Sequence, residues 1–245
     1  MKLLRLLASF IHLAAMLSLA ALDSCWLSLR HGFRTPLEAR AVWLQRNSRR
    51  LANVFVASLD RSGEIPRSGL LVCNHLSYVD ILVLGTLAPA VFVSKSEVAG
   101  WPVFGWFARI SGTIFIRRAI RADVSRIGAE IRDRLDRGFL VILFPEGTSS
   151  DGREVLPFRS SLLEPVSEAG RDVFAAHVNY TNADGSDETA VPYWGDMTLV
   201  PHLLKLLSQP RVRARVCVRA VKSTAEDRKE LAKRLHAEVS GLKPG

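Results

Sequence analysis

FLVILFPEGTSSDG, residues 139–152, decides the fold. Six apolar residues in a row, 139–144, leave no polar side for water, which marks a strand buried on both faces. Pro145 and Gly147 end it, and Glu146, Thr148 and Ser149 place donors and acceptors at its exit. A strand buried on both faces needs helices above and below it, so the chain reads as an α/β layer fold.

Working outward, residues 120–136 have helical period, 112–116 and 90–93 read as strands, 80–87 as a helix and 70–73 as a strand. On the other side, 173–179 and 211–218 read as strands and 198–207 as a helix. A last helix is opened by Thr224, with Glu226 and Asp227 in its first turn. Strands alternating with helices imply a mostly parallel sheet flanked by helices. The turn-rich DRSGEIPRSG (60–69) marks where this layered character begins. The expected organisation is an N-terminal membrane-anchoring helical segment, 1–55, followed by a globular domain, 56–245.

The N-terminus explains the anchor. Residues 6–22 are apolar except for Ser9, His12 and Ser18. As a helix they reach about 26 Å, just short of a hydrocarbon core of about 30 Å. A cleaved signal, a short span and a helix lying in one leaflet all fit that length. A small-x-small site followed by a polar start is missing, so the segment reads as an uncleaved anchor with both ends near the cytoplasmic face. Trp26 suits an interface. Lys2 and Arg5 before it and Arg30, Arg34 and Arg40 after it give no orientation bias. Residues 37–56 read as an amphipathic helix whose Arg40, Arg46, Arg49 and Arg50 suit anionic headgroups or plain water equally.

With Lys+Arg 33 against Asp+Glu 24 the net charge is +9, which favours polyanionic partners. A mean hydropathy of +0.14 fits a protein lying on lipid better than a nucleic-acid binder. In RVRARVCVR, Arg211, Arg213, Arg215 and Arg219 share one strand face while Val212, Ala214, Val216 and Val218 share the other. No aromatic residues interleave on the cationic face, so nucleic acid is not expected there. Cys25, Cys73 and Cys217 have neither disulfide nor zinc spacing, which fits a reducing cytosol. No metal site is expected.

In such folds chemistry sits in loops at the carboxyl ends of strands. His75 and Asp80 meet only if the chain turns from strand to helix between them, and Asn74, His75 and Ser77 supply that turn. A carboxylate on one ring nitrogen leaves the other as a general base. Spacing alone favours the plainer reading, a satisfied loop histidine with Asp80 at a helix N-terminus. The FPEG turn can likewise be ordinary, no GxSxG elbow surrounds a serine, and Arg117 and Arg118 suit either phosphate or water.

Three blocks in order change that balance. NHLSYVD (74–80), GTIFIRR (112–118) and FPEGTSS (144–150) together resemble the glycerophospholipid acyltransferase family of the bacterial 1-acyl-sn-glycerol-3-phosphate acyltransferase type. The resemblance covers about residues 54–220, and the stretch 191–216 is similar to its lyso-ornithine lipid branch. It implies His75 as general base on the acceptor hydroxyl and Asp80 as its orienting partner. Arg117 is then the phosphate contact, and Glu146, Gly147 and Thr148 shape the acceptor pocket. In a branch whose acceptor lacks a phosphate, Arg117 meets another anionic group. The fourth block departs from the family: DVFAAHV has Ala175 and Ala176 where a proline usually follows a valine, which leaves that contact, His177 included, unassigned.

The implied reaction moves an acyl group from an acyl-CoA or acyl carrier protein thioester to a lysophospholipid, with no cofactor and no nucleophilic side chain. Membrane lipid is the other partner, and the cytoplasmic (inner) membrane the location, with the site facing the cytoplasm. Residues 98–116, with Trp101, Phe104, Trp106 and Phe107, either pack beside an acyl chain or are plain core. Gly100, Pro102, Gly105 and Gly112 argue against one continuous helix. The rivals are a non-catalytic basic membrane-surface protein in which His75 and Asp80 are structural, and a secreted hydrolase.

Overall fold

The computed structural model describes residues 2–117, 121–167, 171–222 and 226–243. Helices α1 (Lys2–Arg30) and α2 (Leu37–Phe55) lead into strands β1 (Val56–Ser62) and β2 (Gly69–Cys73). Helix α3 (Val79–Gly85), strand β3 (Ala90–Lys95), a 3₁₀ turn (Ser96–Gly100), helix α4 (Phe104–Ser111) and strand β4 (Ile114–Ile116) follow. After helix α5 (Arg121–Asp136) and strand β5 (Leu140–Leu143) come strand β6 (Val173–Thr181), helix α6 (Leu199–Ser208), strand β7 (Val212–Val221) and helix α7 (Arg228–Gly241).

The seven strands form one sheet in the order β1-β7-β6-β2-β5-β3-β4. β6, β2, β5, β3 and β4 run parallel, while β7 runs antiparallel to β6 and carries β1 parallel beside it. The apolar run at 139–144 becomes β5, in the interior of the sheet and buried along its length. Side chains alternate between two cores: Leu71 and Cys73 join α2, α3 and α6 on one face, and Leu70 and Val72 join α5 and α7 on the other.

Several expectations shift. The sequence pattern places 56 at the end of a helix and 60–62 in a turn, yet β1 pairs with β7 from Val56↔Val212 to Ser62↔Cys217. The stretch 98–116 folds as the 3₁₀ turn and α4. Gly105 lets α4 lie against the turn, because a Cβ there would collide with the Ala99 carbonyl. Gly112, at φ +83, ends α4 in the left-handed conformation, so β4 starts at Ile114 rather than 112. The opening of the last helix at Thr224 falls outside the described residues; the helix itself starts at Arg228, where Asp227 accepts the Lys229 N–H at 2.8 Å.

α1 has the length and composition to cross a membrane. It also packs against the body: Ala20 is fully buried, its carbonyl accepts the Trp43 indole N–H at 3.3 Å, and Leu6, Leu13, Met16, Leu17 and Leu27 lie against the core. α2 buries Trp43, Leu44, Leu51 and Phe55. Its arginines are used inside the fold. Arg40 donates to the Ile110 carbonyl at 2.7 Å, Arg49 to the Thr86 carbonyl at 3.4 Å, and Arg50 to Asp23 at 2.5 Å, with Arg46 3.8 Å from the same carboxylate. The cationic face of β7 is present, with Arg213, Arg215 and Arg219 exposed; Asp60 lies 3.8 Å from Arg215 and Glu238 3.1 Å from Arg219.

Candidate active site

β2 ends at Cys73, and the next residue fastens the loop. Asn74 is buried, its Nδ2 donating to the Val178 carbonyl at 3.0 Å and its Oδ1 accepting the Val178 N–H at 2.8 Å. The side-chain amide thus replaces a rung of the β2–β6 ladder just where the chain leaves the sheet. His75 follows, at the carboxyl end of the strand, and α3 starts at Val79.

The turn brings His75 and Asp80 together. Asp80 Oδ2 lies 2.8 Å from His75 Nδ1 and accepts the Leu76 and Ser77 N–H groups at 2.6 and 2.8 Å. Its Oδ1 accepts the Tyr180 hydroxyl at 2.7 Å. Asp80 is fully buried. With the carboxylate accepting at Nδ1, the imidazole carries its proton there and keeps a lone pair on Nε2. The ring stacks on Phe144 with centroids 4.1 Å apart, and it lines an apolar cavity.

That cavity has a volume of about 270 Å³ and is walled by α3, β3, α4 and the loop after β5. Leu44, Phe92, Phe104 and Phe107 line it, as do Gly147, Thr148 and Ser149 beside His75. Of the aromatic residues in the stretch 98–116, Trp101, Phe104 and Phe107 lie on its wall, whereas Trp106 lies outside it, edge-on to Trp43 at 6.1 Å.

Glu146 is placed differently from its neighbours. It is 3% exposed, and its Oε1 accepts the His75 backbone N–H at 2.8 Å. The Ser150 N–H donates to the His75 carbonyl at 2.9 Å. The loop after β5 therefore holds both backbone groups of His75. Glu146 Oε2 is buried with no partner at hydrogen-bond distance. Burial pushes its carboxyl up to about 7, against the opposing pull of the His75 and Leu156 N–H groups.

Arg117 is set apart from this group. It follows β4, the edge strand, three strand spacings from β2 and hence on the order of 14 Å away laterally. Its backbone N–H donates to Asp123 at 2.6 Å, its guanidinium lies 3.7 Å from the same carboxylate, and its side chain is 64% exposed. Arg118 lies outside the described residues. His177 sits on β6 on the opposite sheet face from Tyr180, and burial lowers its imidazole to about 4.

Tyr180, the segment after β6 and His202 carry no local signal of their place at the site. Tyr180 lies 100 positions from Asp80, and only the β2–β6 pairing brings it there. The segment after β6 closes over the cavity: the Tyr193 N–H donates to the Leu76 carbonyl at 2.8 Å, and the Ser149 hydroxyl donates to the Tyr193 carbonyl. His202 of α6 accepts the Tyr78 hydroxyl on Nδ1 at 3.0 Å and donates from Nε2 to the Pro192 carbonyl at the same distance.

A mostly parallel sheet with a histidine–aspartate pair at a strand exit, on the wall of an apolar cavity, is a site fitted for general-base chemistry on a largely apolar ligand. The family model described as Acyltransferase matches residues 59–179. The chain is 36% identical over 244 residues to a lyso-ornithine lipid O-acyltransferase of Pseudomonas aeruginosa, covering 96% of this chain and 92% of that one. It is 33% identical over 182 residues to a 1-acyl-sn-glycerol-3-phosphate acyltransferase of Neisseria meningitidis, covering 73% and 71%. The crystal structure of the 1-acyl-sn-glycerophosphate acyltransferase of Thermotoga maritima superposes with a TM-score of 0.62 at 20% identity, over 100% of both chains, so the fold is shared. The chain belongs to the glycerophospholipid acyltransferase family, and it is an acyltransferase.

Proposed function

We propose that the protein transfers a fatty acyl group from an acyl-CoA or acyl carrier protein thioester to the hydroxyl of a lysophospholipid, 1-acyl-sn-glycerol-3-phosphate. The observation that carries this is the His75–Asp80 pair at 2.8 Å on the wall of an apolar cavity. His75 Nε2 takes the acceptor hydroxyl proton as the oxygen attacks the thioester carbonyl. The tetrahedral intermediate collapses, the C–S bond breaks, and the imidazolium returns its proton to the leaving thiolate. Because the thioester is already activated, the chain's own residues need only bind, orient and move one proton, and no cofactor is required. Gly147 and Thr148 form the wall beside His75, where they shape the acceptor pocket, and Glu146 stands behind them. Arg117 is the contact for the acceptor's phosphate.

A second acceptor, a lyso-ornithine lipid, is favoured by the identity to the Pseudomonas aeruginosa enzyme over nearly the whole chain. Incubating membranes containing the protein with labelled acyl donor and each acceptor tests both; transfer to neither, with the His75→Ala variant indistinguishable, would overturn the reading.

The protein works at the cytoplasmic membrane, with its site facing the cytoplasm, and α1 lies in one leaflet. One side of that helix, from Leu6 to Leu27, a length of about 32 Å, lies against the core, which supports a placement along the body in one leaflet. Its other side exposes Leu4, Leu7, Ile11, Leu22, Trp26 and Leu29.

A further inference from the structure

An amphipathic helix on a water-soluble surface shows polar residues outward, and α6 departs from this by being apolar on its outer side as well. Its inner side buries His202, Leu206 and Leu207, yet Val200 and Leu204, one turn apart on its outer side, are 63% and 43% exposed. Just before the helix, Trp194 and Met197 are exposed as well. Four large apolar side chains within eleven positions form a patch that water alone does not explain.

Three features say what covers it. α6 packs against α1, so the patch adjoins the helix whose outer side is apolar. Lys205, exposed and next to Leu204 in α6, puts a cation at the patch, where cations meet anionic headgroups. Trp194 also lines the cavity that holds His75. We propose that the segment from Trp194 to Leu204 is a second membrane-contact surface, a lip over which acyl chains pass between one leaflet and the cavity. The proposal rests on the reading of the chain as an enzyme of bilayer lipids. The link between lip and catalytic loop is covalent and hydrogen-bonded: Tyr193, next to Trp194, is tied to Leu76, and His202 is tied to Tyr78.

The full-length protein is tested with an environment-sensitive fluorophore at position 200. Cys73 and Cys217 are buried, so Val200→Cys in a Cys25→Ser background labels at one site; Lys229→Cys, on the exposed side of α7, is the control. Vesicles of phosphatidylethanolamine and phosphatidylglycerol should shift the emission of the probe at 200 to the blue and make it quenchable by spin-labelled lipid, with no change at 229. Protein that floats with the vesicles while the probe at 200 stays as water-exposed as that at 229 would overturn the proposal. So would a shift that depends on protein concentration without vesicles, because a second copy would then cover the patch.

A kinetic arm reads the role of the lip. The pair Val200→Glu and Leu204→Glu should lower turnover of bilayer-embedded acceptor at least about 10-fold, the loss expected when two apolar side chains no longer enter lipid. Turnover of short-chain, water-dispersed donor and acceptor should be unchanged. Equal loss in both assays would assign the patch to folding instead. Absence of transfer by the unsubstituted chain would count against the proposed reaction, whereas the labelling result stands on its own.

Discussion

Tyr180 donates its hydroxyl hydrogen to Oδ1 of Asp80 at 2.7 Å, on the carboxylate oxygen that His75 does not use. The two oxygens have separate tasks: Oδ2 gathers His75 and two loop N–H groups, and Oδ1 is tied to the sheet through β6. Burial, and then the neighbouring Asp80 carboxylate, push the Tyr180 hydroxyl well above its usual value, so it remains a donor. Tyr180→Phe leaves a buried oxygen unpartnered and should cost about 1–3 kcal/mol of stability. Turnover should fall about 10–100-fold with acceptor KM little changed, as for other groups that orient a working residue. Steady-state kinetics with thermal unfolding checks both.

His75→Ala should lower acyl transfer by roughly 10²–10⁴-fold with the fold retained. Asp80→Asn should lose as much or somewhat less, because the imidazole stays but its tautomer is no longer enforced. Near-normal turnover of His75→Ala in a labelled-donor assay would remove His75 from the mechanism.

Stability should respond to pH through two groups with opposite signs. The Glu146 carboxyl, raised to about 7 by burial, favours the folded state fully below pH 4.5 and loses that contribution as pH rises from 4.5 to 7. His177, lowered to about 4 by burial, does the reverse: acidification from 6.5 to 4 protonates the unfolded chain first and destabilises the fold. Each effect is on the order of 3 kcal/mol across its window. Relative to the unsubstituted chain, the melting temperature of Glu146→Gln should therefore climb between pH 4.5 and 7, while that of His177→Gln should fall between pH 4 and 6.5.

Arg117→Lys separates the two acceptors. If the guanidinium pairs with a phosphate, lysine lacks the planar fork, and the KM for 1-acyl-sn-glycerol-3-phosphate should rise while that for the acyl donor holds. For a lyso-ornithine lipid the change should be smaller. Equal loss for donor and acceptor would place Arg117 with the donor or with its Asp123 contacts.

Deleting residues 1–28 should do more than weaken membrane retention. Ala20 and its contact with the Trp43 indole leave with α1, uncovering apolar surface on α2 and α6. The truncated chain should melt at lower temperature and aggregate in detergent-free buffer, which light scattering during a thermal ramp will show.

What the sequence made readable follows from where each signal resides. β2 and β5 are contiguous apolar runs and β7 alternates, so burial on the sheet writes itself into neighbouring or every second position. The His75–Asp80 meeting was readable because a strand-to-helix turn is local. β1 was hidden because VASLDRS is polar at the exposed edge of the sheet, where only a partner more than 150 positions away makes it a strand. Tyr180 and His202 were hidden for the same reason, being joined to Asp80 and Tyr78 across 100 and 124 positions. Glu146 was visible as a residue but not in its direction. Its carboxyl faces the His75 backbone, while the next residues, Gly147 and Thr148, line the cavity.

The pairing of β1 with β7 also fixes an order of assembly. β1 is synthesised directly after α1 and α2, yet its hydrogen-bonding partner lies near the far end of the chain. Until β7 emerges, β1 has no neighbour in the sheet and β6 has one open edge. Closing a loop of that size costs entropy that local contacts do not offset. A nascent chain stopped before residue 212 is therefore held with both edges of β1 and one of β6 unsatisfied beside an apolar helix, a form prone to association. Completion of β7 pairs the open edge of β6 and the inner edge of β1 in a single step.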